Sequence, residues 1–152
     1  MFGLFKAKNP YEQHAHEVYA ALLTRMREPL FYRDYGVKDS FEGRFDLLCL
    51  HAFMVIHVVL PEGDGDAFNQ TLFDIMFVDM DQSLRESGKG DVGVRKHMRR
   101  MMKGFNGRMH AYEEAYDDKA AFEEVLRRNV FAGDAEADVK PLAGYVRKMI
   151  KS

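Results

Sequence analysis

The chain has 152 residues, 47% hydrophobic and 30% charged, with a formal net charge of −2, which excludes a disordered chain and fits one globular domain spanning residues 1–152. Its single cysteine, Cys49, excludes an intramolecular disulfide, and no Cys/His spacing of a metal site occurs. The longest apolar run, Leu47 to Leu60, is interrupted by His51 and His57 and falls short of the ~20 residues that a membrane span needs.

Six segments read as helices and none as a strand. The first opens with Asn9 as a cap and Pro10 in the first turn, then repeats Tyr11, Ala15, Val18, Leu22 and Met26 at helical spacing up to Glu28-Pro29. The aromatic loop from Pro29 to Lys38 is expected to pack on the body. Asp39 and Ser40 cap a second helix that runs to about Leu60 and is ended by Pro61 and Gly63. From Leu47 on it is apolar all round, as a central element would be. A third helix covers about Asp66 to Ser87 and shares that central place. A fourth starts at Asp91 as its cap and runs to about Asp117. The fifth spans Lys119 to Val130, closed by Gly133, and the sixth about Asp138 to Lys151. The expected fold is a single all-α domain of about six helices.

The fourth helix divides its two faces. Val94, Met98, Met101, Met102, Phe105, Met109, Tyr112 and Tyr116 share one stripe, while Arg95, Lys96, Arg99, Arg100 and Lys103 fall opposite. Lys89 to Arg108 holds seven basic residues and one acidic, net +6; the rest of the chain is net −8. The basic face reads either as a solvated helix side or as a docking surface for something anionic. Ten methionines are many for this length, and seven fall in the second to fourth helices. They read as core filling or as a surface that accepts varied apolar partners.

Asp79 falls among Phe68, Leu72 and Ile75 on an apolar side, where a buried carboxylate demands a cation. Arg44 and Arg108 are the candidates for a structural ion pair. Asp81 and Arg85 form an i,i+4 pair. Cys49 reads as a small buried hydrophobe, and His51 and His57 as core-facing or hydrogen-bonded. Gly104 and Gly107 are expected to let helices approach closely. The glycines do not space as a phosphate loop, and no nucleophile setting is visible. No catalytic residue, cofactor or metal is expected, nor binding to DNA.

Four blocks carry a family resemblance. They are Pro29, Phe31, Tyr32 and Gly36-Val37 with Asp39, Ser40 and Glu42-Gly43-Arg44-Phe45-Asp46; Leu72-Phe73-Asp74 with Phe77, Asp79-Met80-Asp81, Leu84-Arg85-Glu86, Gly88, Gly90 and Asp91; Val94, Lys96, Met98, Met101, Phe105, Gly107-Arg108 and Ala111-Tyr112; and Arg128-Asn129-Val130-Phe131. Together they resemble the ubiquinol–cytochrome c chaperone family of complex III assembly factors, in its bacterial form. The resemblance implies an all-α fold, no catalytic residues, and newly made cytochrome b, or its nascent chain, as client. It further implies the ribosome or a small partner protein as associates, and a cytoplasmic place that allows contact with the inner membrane face. On that reading Met98, Met101, Met102, Phe105 and Met109 are client-contact candidates, and Arg95, Lys96, Arg99, Arg100 and Lys103 are the partner-docking face. The alternative is a small helical ligand-binding protein or enzyme whose Asp and His groups converge in a central pocket.

Overall fold

The computed structural model describes residues 10–59, 65–88 and 90–151. Among these there are seven helices and no strand: α1 (Glu12–Met26), α2 (Leu30–Arg33), α3 (Phe41–Val59), α4 (Gly65–Glu86), α5 (Asp91–Ala115), α6 (Lys119–Val130) and α7 (Lys140–Lys151). The six expected helices are present, and α2 is an addition. It forms inside the aromatic loop, where the Pro29 carbonyl accepts from the Arg33 amide at 2.8 Å. One turn of helix turns Phe31 fully inward, and Val37 follows it into the core. The helix-ending role assigned to Pro61 and Gly63, and the cap at Asn9, lie outside the described residues.

Local chemistry sets several boundaries. The Ser40 hydroxyl caps α3 by accepting from the Gly43 amide at 3.1 Å. Asp118 caps α6 by accepting from the Ala121 amide at 3.2 Å. At α5 the cap position belongs to Gly90, not Asp91, because Asp91 already lies in the first turn and its carboxylate is taken by Arg85. Gly43 meets a different demand. A Cβ there would stand 1.9 Å from the Lys38 carbonyl oxygen, so the loop can cross α3 only over a glycine.

The core is organised on α3, which touches α1, α4, α5, α6 and α7. Every residue from Leu47 to Met54 is buried. That helix holds the expected centre, but α4 does not share it. α4 packs on α1, α3 and α5 with one side and leaves Asp74, Val78, Asp79 and Gln82 in solvent. Its apolar side is widened by aromatic rings: Phe73 and Phe77 both stack against Phe105 of α5, at 5.4 and 5.6 Å between centroids. The apolar stripe of α5 is the other half of that contact.

α6 and α7 close the bundle. The loop between them is tied by Arg127, whose Nη1 donates to the carbonyls of Asp134, Ala135 and Ala137 at 2.8 to 3.3 Å. α7 then lays Leu142, Ala143 and Val146 on α3 and α6.

A candidate client groove and a basic face

The sequence singled out α5, and its two faces separate as the periodicity requires. Arg95, Lys96, Arg99, Arg100 and Lys103 are all exposed. None stands within ion-pairing distance of a carboxylate among the described residues. Exposed Val92 lies one turn before them. Five cations within nine residues repel one another, and among the described residues no ion pair offsets that repulsion. This face presents a positive field to any anionic partner.

The opposite stripe is a packing face. Met101 and Phe105 are core residues, only 6% and 4% exposed, while Met98, Met102 and Met109 are half-buried. Of the five client-contact candidates, Met101 and Phe105 are thus taken up in packing, and Met98, Met102 and Met109 remain partly open. Toward the C-terminal end of the stripe, Phe105 and Met109 edge a shallow cleft with Ile56, Asn69 and Phe73.

Asp79 also stands elsewhere than expected. It is exposed, at the mouth of the cleft between α1 and α4, and its carboxylate accepts from the Tyr19 hydroxyl at 2.5 Å. Burial and that bond push the Tyr19 hydroxyl well above the usual phenol range. Neither predicted arginine reaches Asp79. Arg44 pairs with Asp39 at 2.8 Å on the surface, and Arg108 pairs with Asp46 at 2.8 Å. The partner cation was misassigned because the wheel of α4 alone does not reveal that α1 supplies a phenol at that turn.

The Asp46–Arg108 pair is the half-buried charge cluster that joins α3 to α5. The guanidinium lies 5.6 Å over the Phe45 ring and touches the open side of Gly104. A Cβ at Gly104 would come within 2.8 Å of the Arg108 Nη1, whereas Gly107 meets nothing within 4 Å. Gly104 therefore makes room for a side chain, and neither glycine marks a close helix crossing. Desolvation raises Asp46 to about 6 even though Arg108 pulls it down. Behind the pair, the Cys49 thiol and the Tyr112 hydroxyl are wholly buried, and burial pushes both upward.

The concave apolar feature lies on the other side of α3. His14, Val18, Leu22 and Arg25 of α1, Val55, Val58 and Val59 of α3, and Met149 and Ile150 of α7 surround an open groove of about 460 Å³. Val58 is 47% exposed within it. His51 and Tyr145 form its floor. The His51 Nδ1–H donates to the Leu47 carbonyl at 2.9 Å, which leaves Nε2 to accept from the Tyr145 hydroxyl at 2.8 Å. Burial holds the imidazole neutral by lowering it to about 4. Both ring nitrogens are thus satisfied, as expected for His51, and His57 likewise meets Glu113 at 3.0 Å. Among the described residues no three His, Cys, Asp or Glu side chains are placed to hold a metal ion, and the lining of the groove is mainly apolar.

At about 100° per residue, His51, Met54, Val55, Val58 and Val59 occupy one side of α3. Asp46, Cys49, Phe53 and His57, which meet α5 or its neighbours, occupy the other. The groove and the basic face consequently lie back to back. No signal in the sequence marked the groove, because the apolar residues of α3 and α7 read simply as core.

Among the described residues the helical bundle thus carries an open apolar groove and a separate cationic face. The sequence pattern of the family described as ubiquinol-cytochrome C chaperone matches residues 33–152, and the chain belongs to that family. The fold is similar to the crystal structure of the Cbp3 homolog from Brucella abortus, with 31% identity and a TM-score of 0.79 over 99% of this chain and 88% of that one. No curated protein matches the chain.

Proposed function

We infer that the protein is an assembly chaperone for the ubiquinol–cytochrome c oxidoreductase (complex III) and that its client is newly made cytochrome b. Family membership over residues 33–152 is the observation that carries this reading. The geometry supports it: one side is apolar and concave, the other cationic and unneutralised. A hydrophobic client needs the first, and an anionic associate needs the second. Among the described residues no helix is long and apolar enough to cross a membrane. Arg95, Lys96, Arg99, Arg100 and Lys103 dock the ribosome, a small acidic partner or the headgroups of the inner membrane face.

The test is a gene deletion combined with recovery of the tagged protein from its own membranes. Complex III falls in the deletion strain, and cytochrome b comes down with the tagged chain. Normal complex III in the deletion strain would overturn the reading.

A further inference from the structure

The groove between α1, α3 and α7 has a shape and charge that specify its occupant. Its α1 wall runs from His14 to Arg25, about 17 Å at 1.5 Å per residue, which is the length of three helical turns. Apolar side chains line it on three sides: Val18 and Leu22, Val55 and Val58, Met149 and Ile150. Its volume of about 460 Å³ lies within the range of preformed binding clefts. A concave trough of these dimensions accepts the anchor residues of one helix, spaced i, i+3, i+4 and i+7. A flat bilayer surface would leave the floor unfilled.

Charge adds direction. Among the described residues no carboxylate lines the groove, and its charged or titratable members are Arg25, His14, Tyr145 and the neutral His51. The guanidinium of Arg25 donates to the Met149 Sδ at 3.8 Å across the groove, and among the described residues it pairs with no carboxylate. Its charge acts on both His51 and Tyr145 beneath it. One end of the trough is therefore positive, which suits a helix whose C-terminal end carries a carboxylate as well as its own negative dipole.

We propose that this groove seats one apolar helix of a membrane-protein client, oriented with its negatively charged C-terminal end over Arg25. The proposal rests on the chaperone reading for the nature of the client. The binding itself is testable without it.

The probe is a fluorescein-labelled 20-residue Leu-Ala helical peptide with one Glu near its C-terminus, titrated in mild detergent against the full-length protein and followed by anisotropy. Val58→Glu places a charge in the apolar wall at a position already open to solvent, so folding is retained and circular dichroism checks it. Binding by this variant weakens by about tenfold or more. Arg25→Glu weakens binding of the Glu peptide more than that of its Gln counterpart, and Arg99→Glu on the opposite side changes neither. Unchanged peptide binding by folded Val58→Glu would overturn the proposal and leave the chaperone reading standing. So would Val58-dependent binding to vesicles containing phosphatidylglycerol by a protein that ignores the peptide. Normal complex III in a deletion strain would instead sink the chaperone reading and leave the peptide result intact.

Discussion

His51 on α3 accepts the hydroxyl of Tyr145 on α7 at 2.8 Å while its other ring nitrogen donates to the Leu47 carbonyl, so one neutral imidazole links the last helix to the central one. Protonation would put a donor on Nε2, and the Tyr145 hydroxyl would then have to accept where it now donates. Burial lowers the His51 value, and the bond to the Leu47 carbonyl works against it.

Removing one partner leaves a buried acceptor unmatched. Tyr145→Phe is expected to lower stability by about 1–3 kcal/mol in urea titration at neutral pH, with no loss of helix content. His51 also sets an acid limit. Its folded value near 4 lies below the ordinary 6.5, so the unfolded chain takes up a proton first as pH falls. Stability is lost on acidification from about 6.5 toward 4, and in His51→Leu that part of the acid limb is flattened.

Asp46 has the opposite sign. Its folded value near 6 lies above the ordinary 3.8, so the folded chain holds the proton more tightly and stability from this group falls as pH rises from about 4 to 6. NMR titration of the Asp46 carboxyl carbon is expected to give a midpoint near 6. Arg108→Met removes the cation that offsets burial, moves the midpoint higher and destabilises the protein at pH 7 by roughly 3 kcal/mol. A midpoint at or below 3.8 in the wild-type chain would contradict this arrangement.

Two helical glycines predict opposite outcomes. Gly43→Ala would drive a Cβ into the Lys38 carbonyl, and a clash with backbone is relieved only by moving the loop. The variant loses at least 2 kcal/mol, on the order of an overpacked core site. Gly107→Ala meets nothing and gains helix propensity, for an increase of up to about 1 kcal/mol. Thermal melts of the two variants side by side decide the matter.

The cationic side of α5 is expected to be dispensable for folding. Replacing Arg95, Lys96, Arg99, Arg100 and Lys103 by Gln relieves repulsion worth tenths of a kcal/mol for each close pair. The melting temperature stays level or rises slightly, while complex III falls in cells that depend on the protein. Normal complex III at matched protein levels would leave this side as a merely solvated helix face.

Much of the fold is legible from residue spacing. Ser40 caps α3, Asp81 meets Arg85 at 2.7 Å, and the α5 stripe buries Val94, Met101, Phe105 and Tyr112 as its period requires. What escapes the sequence is which neighbour covers which turn. The wheel of α4 puts Asp79 beside apolar residues, but α1 stops short of enclosing it and offers Tyr19 instead of a cation. Equally, α3 looks buried all round, yet its C-terminal Val55, Val58 and Val59 border the groove between α1 and α7, and Val58 is exposed there. Helix period reports a direction from the axis. It does not report whether another helix stands there, so the candidate groove could not be read while the basic face could.

Because α3 separates the groove from α5, the two surfaces have no overlapping footprint. A molecule adsorbed through its arginines and lysines therefore turns the trough outward, away from whatever holds it. Sites this far apart, with no shared side chain, contribute additively to binding. On the proposed reading this arrangement would serve as an adaptor with two independent ends, in which anchoring would neither block loading nor require release.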